Sequence, residues 1–314
     1  MEKMELLERI GQRLRLQDLR ILMAVAHAGS MSKAAQSLNT TQPAISRSIA
    51  ELEHTLGVPL LDRSRRGVEP TKYGRALLDG GAAVFDDLRQ AVKSIEFLAD
   101  PTVGEIRIGG NEAIIAGLLA AVYGRLRRRY PGIAIHVTQV AVVSQQYREL
   151  RDRKVDFILG RVSEPIDEDI AAEVLFYDRT FVVASPHSKW SRRRKIELLE
   201  LAEEAWGLPP SGTLIASLVA DAFRAKGMDV PRKGVATGSI HLLSALVASG
   251  PFLITLPGSV LRFGTNLPAL KVLSVDLPVP PWPVGLMMLK DRTVSPVVQL
   301  FFEFAREVTK PLTR

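Results

Sequence analysis

The chain has no cysteine. Disulfides and thiolate metal sites are therefore excluded, and the composition fits a reducing compartment. Histidine is scarce, and His27, His54, His136, His187 and His241 show no H-x-x-x-H or H-x-H spacing, which leaves a histidine-rich metal site without support. Long apolar runs are missing as well. The most apolar stretch, Ala113–Val122, is too short to cross a bilayer. Met1–Gln17 intersperses Glu, Lys and Arg and lacks the apolar segment of a secretory leader. The expectation is a cytoplasmic protein with no membrane partner. Signatures of catalysis fail too. Gly258-Ser259 lacks the flanks of a nucleophile elbow, and Gly109-Gly110 lacks the third glycine and the spacing of a dinucleotide fingerprint. No cofactor and no enzymatic activity are expected.

Positive charge, by contrast, is concentrated. The 41 Lys/Arg and 34 Asp/Glu give a net charge of +7. Between Arg9 and Arg75 there are 11 basic and 5 acidic residues, a balance of +6, so the remainder contributes about +1. That segment also carries the densest local signals. Leu19, Leu22, Val25 and Ala26 form an apolar helical run that Gly29 is suited to end, since the position after a helix favours positive φ. Ser30 or Ser32 can cap the next helix, whose close-packing face is Ala34-Ala35. Asn39-Thr40 reads as a turn, Thr41 as an N-cap and Pro43 as a first-turn proline. Ile45, Ile49 and Leu52 then recur at helical spacing, which leaves Gln42, Ser46 and Arg47 on the opposite face. Such side chains hydrogen-bond to base edges and phosphates. An ordinary helical hairpin with a solvated polar face would share the spacing, but the local charge favours a phosphate-binding footprint.

From Leu16 to Gly74 the sequence resembles the winged helix–turn–helix of the LysR-type transcriptional regulators. The resemblance rests on Leu19, Ala34-Ala35, Leu38, Thr41-Gln42-Pro43-Ala44-Ile45-Ser46-Arg47, Ile49, Leu52-Glu53, Leu56-Gly57-Val58-Pro59-Leu60-Leu61-Asp62-Arg63, Arg66-Gly67, Thr71 and Gly74. Leu61 and Pro70 depart from the family's usual Phe and apolar residue; a leucine can still pack there, and a proline can close a strand at a sheet edge. The expected DNA-contacting residues are Ser32, Thr41, Gln42, Pro43, Ser46 and Arg47, with Arg63, Arg65 and Arg66 at the basic tip of the wing. The resemblance implies that Arg66 reaches the minor groove.

A long helix follows, from about Thr71 to Leu98. Leu78, Phe85 and Val92 lie seven apart, and Gly81, Leu88 and Ile95 form a second series offset by three. Together they make a coiled-coil-like seam. The residues expected to hold a dimer are Leu78, Phe85, Leu88, Val92 and Ile95, with packing on the helix's own domain as the alternative. The resemblance implies that this is the dimerising linker helix.

Beyond Gly104 strands and helices alternate, which argues for mostly parallel sheets covered by helices. Strands are expected at Glu105–Gly109, Ile133–Thr138, Val155–Gly160, Phe181–Ala184, Gly234–Thr237, Phe252–Leu256, Leu270–Val275 and Val284–Leu289, and helices up to Tyr130 and over Gln145–Arg151, Ile196–Glu204, Thr213–Lys226, Ile240–Ser249 and Ser295–Val308. The fold expected is an N-terminal all-α winged helix–turn–helix (1–73) and a linker helix (74–102). After them comes a C-terminal α/β effector domain (103–314). The resemblance implies that this last part holds two Rossmann-like subdomains of the type 2 periplasmic-binding-protein kind, crossed near Tyr177–Phe181 and Val260–Leu270.

Candidate effector contacts are Gly110, Asn111, Ser144, Ser211, Thr213 and Ser239, where strands give way to helix N-termini, and Arg161, which can pair with a carboxylate. Ser211, Thr213 and Ser239 equally suit simple capping, and Arg161 a surface ion pair. The function expected is a DNA-binding transcription regulator that senses a small carboxylate or sugar. Its partners are a double-stranded operator, a second copy in a dimer, further copies in a tetramer, and RNA polymerase. A transport solute-binding protein would account for residues 104–314 but not for the basic N-terminal module or the lack of a leader.

Overall fold

The computed structural model describes residues 14–64, 67–231, 233–264 and 270–312. They fall into two compact units, Met1–Arg89 and Gln90–Arg314.

In the first unit, α1 (Leu16–Ala28) ends at Gly29 with φ 60°, and α2 (Met31–Ser37) starts from Ser30, whose hydroxyl accepts from Lys33 N–H. Ser30, not Ser32, is therefore the cap. Buried Ala34 and Ala35 let α2 approach α1 closely. Asn39 turns the chain with φ 51°, Thr41 Oγ1 accepts from Ala44 N–H, and α3 (Gln42–Leu56) runs until Gly57 at φ 70°. Ile45, Ile49 and Leu52 join Leu22 and Val25 in the core. The antiparallel wing pairs β1 (Leu61–Ser64) with β2 (Gly67–Pro70), from Leu61 opposite Pro70 to Ser64 opposite Gly67. Leu61 is buried, so its departure from the family pattern is absorbed by packing, and Pro70 closes its strand.

Helix α4 (Lys72–Ala99) begins against this unit. Leu78 packs against the N-terminal core, and Gly81 lies under Leu19 and Met23 of α1. Phe85 lines a groove of 580 Å³ together with Ile21 and Ile45. The first half of the expected dimer seam is thus engaged within its own module, because the seven-residue spacing does not by itself say which surface the stripe meets.

The second unit holds two five-stranded sheets, ordered β4-β3-β5-β12-β6 and β11-β7-β10-β8-β9. The first contains β3 (Val103–Gly110), β4 (Gly132–Gln139), β5 (Phe157–Arg161), β6 (Ile170–Asp178) and β12 (Trp282–Leu289). Its helices are α5 (Glu112–Ile114), which passes through a π-helical turn (Ile115–Leu119) into α6 (Ala120–Arg129), then α7 (Val143–Arg151) and α11 (Pro296–Thr309). The second sheet contains β7 (Thr180–Ala184), β8 (Ala205–Leu208), β9 (Gly234–Ala236), β10 (Phe252–Pro257) and β11 (Lys271–Val272). With it go α8 (Leu214–Ala225), α9 (Ile240–Ser249) and α10 (Gly258–Phe263).

Several expectations need correction. Both sheets are mixed, since β12 is antiparallel to β5 and β6, and β7 antiparallel to β10 and β11. This follows from strands inserted when the chain passes between sheets. Two strands, β6 and β8, and the short helix α10 were not foreseen. The helix expected at Ile196–Glu204 is a single 3-10 turn, Leu198–Leu201, and the strand expected at Leu270–Val275 shrinks to β11 plus a bridge from Val275 to Ile196. The outward crossing lies between Asp178 and Thr180, as expected. The return lies between β11 and β12, through the proline-rich Pro278–Pro283, and not at Val260–Leu270.

A buried ionic cluster fixes the end of α4 to the first sheet. Asp156 accepts from Arg107 Nη2 at 2.8 Å, Arg292 Nη2 at 2.9 Å and Lys93 Nζ at 3.3 Å, and also from Arg107 N–H at 2.8 Å. Gln90 Nε2 adds a longer contact of 3.4 Å. Desolvation works to raise the Asp156 pKa, but the Lys93 charge and the Arg107 hydrogen bonds outweigh it and hold the carboxyl below its ordinary value.

Candidate nucleic-acid interface and effector cleft

The polar face of α3 is presented by its core face. With Ile45 and Ile49 fully buried, Gln42, Pro43, Ala44 and Arg47 are exposed and Ser46 is half-buried. Ser48 Oγ donates to Asp18 Oδ1 at 2.8 Å, which fixes α3 to α1 and so sets the rotation of that face. Thr41 is exposed but engaged as the N-cap; Ser32 is exposed in the first turn of α2.

The wing is held by three backbone-level contacts. Glu53 Oε1 accepts from Leu60 N–H at 2.7 Å and Leu61 N–H at 3.2 Å. Thr71 Oγ1 donates to Pro59 C=O and accepts from Gly74 N–H. Val68 N–H donates to Gly29 C=O at 3.0 Å, tying the wing to the end of α1. Gly74 is required here, because a Cβ would lie 2.0 Å from Leu60 O. Arg63 is exposed on β1; Arg65 and Arg66 lie outside the described residues.

Electrostatics point the same way. Arg15, Arg20, Lys33, Arg47 and Arg63 are exposed and form no ion pair among the described residues. In the second unit, by contrast, surface cations are commonly paired, as Arg151 with Asp167 and Asp169, Arg306 with Glu173, and Arg193 with Glu200. The unpaired cations of the first unit are available to phosphates.

Along α4, Val84, Leu88, Val92, Ile95 and Leu98 are exposed. Their spacing puts them on one face of about 120° at 100° per residue. Leu88, Val92 and Ile95 belong to the expected dimer set; Leu78 and Phe85 do not share this face.

In the second unit the carboxyl ends of parallel strands carry the loops where open α/β sheets bind ligands. The structure brings two of the expected effector loops together. Glu112, next to Asn111, accepts from Ile240 N–H at 2.7 Å, so the β3–α5 turn meets the N-terminus of α9 beside Ser239. Glu112 was not anticipated; nothing local marks a carboxylate whose partner is 128 residues away. Asn111 Oδ1 accepts from Ile114 N–H, Ser239 Oγ from Leu242 N–H, and Thr213 Oγ1 from Ala216 N–H, so all three cap helices. Gly110 is buried, with Leu159 O 2.9 Å from where a Cβ would stand.

The remaining candidates diverge. Ser144 is exposed inside α7, which begins earlier than expected, at Val143 after the cap Val142. Ser211, with Gly212, lines a separate apolar cavity of 440 Å³ between α8 and the β8–β9 edge, where Arg161, Asn111, Ser144 and Ser239 have no part. Arg161 is the last residue of β5 and not beyond it; its guanidinium lies 5.3 Å from the Trp282 ring centroid.

The crossing is pinned by Asp178, which accepts from Ser259 Oγ at 2.6 Å, Ser259 N–H at 3.2 Å and Arg179 N–H at 2.8 Å. Burial pushes the Asp178 carboxyl up, against these hydrogen bonds. The π-helical turn sits close by, since a Cβ on Gly117 would be 3.2 Å from Ser259 O.

A winged helix–turn–helix, a long helix with an apolar face and a two-subdomain α/β module define a ligand-responsive, DNA-binding transcription regulator. Comparison with known proteins agrees. Residues 16–75 match the family model of bacterial regulatory helix-turn-helix proteins of the lysR family, and residues 99–310 match the LysR substrate binding domain. The chain belongs to the LysR family of transcriptional regulators. It is 31% identical over 237 residues to the HTH-type transcriptional regulator GbpR of Rhizobium radiobacter, covering 74% of this chain and 78% of that one. It is 26% identical over 291 residues to the transcriptional dual regulator GltC of Bacillus subtilis (92% and 95% covered). A full-length OxyR variant from Pseudomonas aeruginosa shares the fold with a TM-score of 0.65 at 20% identity, covering 96% of this chain and 98% of that one. Among the described residues, no helix is long and apolar enough to cross a membrane.

Proposed function

We propose that this regulator reads a partly palindromic operator as a dimer, with α3 in the major groove and the wing beside it. The observation that carries this reading is the exposed polar face of α3, set among cations that no acidic side chain engages. Gln42, Ser46 and Arg47 contact base edges, and Arg63, Arg65 and Arg66 contact the backbone and minor groove. Ser32, Thr41 and Pro43 position the helix or touch phosphates. The work divides at about residues 73 and 102. The exposed Leu88–Val92–Ile95 face holds the dimer and so fixes the spacing of the two reading helices. Further pairing through the effector domains makes a tetramer, for which β4 and β9 offer open sheet edges.

A small molecule, a carboxylate or a sugar, binds between the two sheets near Asn111, Arg161 and Ser239. It changes their relative setting, and with it the bend imposed on DNA and the recruitment of RNA polymerase in the cytoplasm. Arg47→Ala tests the reading face. Loss of a base contact should cost about 1–3 kcal/mol on the specific site and relax discrimination at the contacted position, with folding retained. Unchanged affinity and specificity in a gel-shift series over operator variants would reject the assignment.

A further inference from the structure

Buried cations in the second unit follow a pattern with one exception. Lys93, Arg107 and Arg292 all converge on Asp156. Arg161 has no such partner. Its Nε and Nη1 are buried without a hydrogen bond, and no ion pair reaches the guanidinium among the described residues. Its one close companion is the face of Trp282. A ring face attracts a cation but offers no hydrogen-bond acceptor to an N–H.

The strand registers show what else faces the same way. Phe157, Leu159 and Arg161 alternate along β5, and Val284 stands opposite Arg161. Phe157, Leu159, Val284 and Trp282 all belong to a core cluster that draws on both sheets, and so does Val182. Thr180 lies two residues before Val182, and Thr255 is its cross-strand partner. Period-two alternation therefore turns both threonines toward that shared core. The hydroxyls of Thr180 and Thr255 are also buried without a hydrogen-bond partner. A guanidinium and two hydroxyls, all orphaned, line the junction where the chain passes from one sheet to the other.

Three unsatisfied polar groups at one junction cost stability unless something satisfies them. We propose that Arg161 is an oxyanion subsite, and that the effector of this protein carries a carboxylate or phosphate which Arg161 binds, with Thr180 and Thr255 donating to the same ligand. This rests on the reading of the second unit as the effector-binding part and names the chemical class of its ligand. Burial alone holds the Arg161 pKa below its ordinary value, which agrees with the lack of any neighbouring carboxylate. Neutral polyols leave the charge uncompensated, whereas an oxyanion removes the penalty through charge-assisted hydrogen bonds.

The test uses the full chain and two independent readouts. The first is ligand-free stability by thermal denaturation. Arg161→Met keeps an unbranched chain against Trp282 and removes the buried cation. It should melt higher than the parent by about 2–10 °C, from the cost of unsatisfied buried groups and the size of the domain. The second is the stabilisation given by matched probes: formate and benzoate against formamide and benzamide, with inorganic phosphate as a separate arm. At least one oxyanion should raise the melting temperature while its amide does not. The rise should vanish in Arg161→Met, survive in part in Arg161→Lys, and shrink in Thr255→Val. The phosphate arm decides which oxyanion the subsite takes.

An Arg161→Met protein that melts at or below the parent temperature would overturn the proposal, as would equal responses to acid and amide. If neutral compounds alone bind, and Glu112→Ala or Ser239→Leu abolishes their binding, the oxyanion assignment falls while the cleft reading stands. If whatever binds ignores Arg161, Glu112 and Ser239 substitutions alike, the cleft reading falls with it.

Discussion

Replacing Asp156 by Asn removes one negative charge from a site that holds three cations. Asp156 is 3% exposed, Arg292 2%, Lys93 9% and Arg107 17% as side chains, so the charges left behind have little water to turn to. Breaking a buried ion pair from one side costs about 3–5 kcal/mol. Asparagine keeps the shape and one acceptor oxygen for the Arg107 N–H, so the lower end, about 3 kcal/mol, is expected. For a unit of this size that is a fall of about 6–12 °C in melting temperature. Because Gln90 and Lys93 belong to α4, amide exchange in its last turns should quicken as well. Glu173→Gln is the control: its pair with Arg306 is half-exposed and its loss should cost at most about 1 kcal/mol.

The pH dependence has a definite sign. The Asp156 carboxyl titrates lower when folded than unfolded, so its stabilisation is complete above the ordinary carboxylate range. As the pH falls through about 4, the unfolded chain takes up the proton first and the advantage is lost. The parent should therefore lose stability there more steeply than Asp156→Asn, and the two curves should converge. Equal melting temperatures at neutral pH, or curves that run parallel into acid, would refute the ionic account of this cluster.

Two further outcomes address assembly and closure. Leu88→Glu places a charge on the exposed face of α4, outside its own module's core. Sedimentation should show smaller species with a folded wing module and lost operator binding, and an unchanged oligomer that still binds DNA would remove this face from the dimer. Glu112→Ala deletes the hydrogen bond at 2.7 Å to the start of α9. Small-angle scattering should then show a broader distribution of separations between the two sheets of the effector part, and no change would mean that Glu112 does not restrain them.

The N-terminal module is legible in sequence because its determinants are local. Gly29 and Gly57 end helices at positive φ, Ser30 and Thr41 cap the helices that follow, and Ile45, Ile49 and Leu52 mark the buried stripe. Each signal acts within one helical turn of its residue, so reading along the chain suffices. The alternation of strands and helices beyond Gly104 is legible for the same reason. Short strands whose partners are remote are not. β8 has four residues and contains Gly207, and it pairs in parallel with β10 nearly fifty residues on, through Phe252 opposite Ala205. Its glycine is there because a Cβ would lie 2.4 Å from Leu243 and 2.9 Å from Ile254, a packing reason with no trace in the local pattern. β6 follows the acidic run from Glu164 to Asp169, whose charge masks a strand.

The candidate sites divide along the same line. The α3 face could be read from helical period, because burying Ile45 and Ile49 leaves Gln42 and Arg47 no other side. The seam on α4 could not, since the stripe is real but its first half meets α1 of the same chain. Likewise Arg161 looks like any arginine after an apolar strand. Only the tertiary structure shows its guanidinium buried against Trp282 without a counter-charge, because pairing is a matter of what the folded chain places nearby and not of what lies next in sequence.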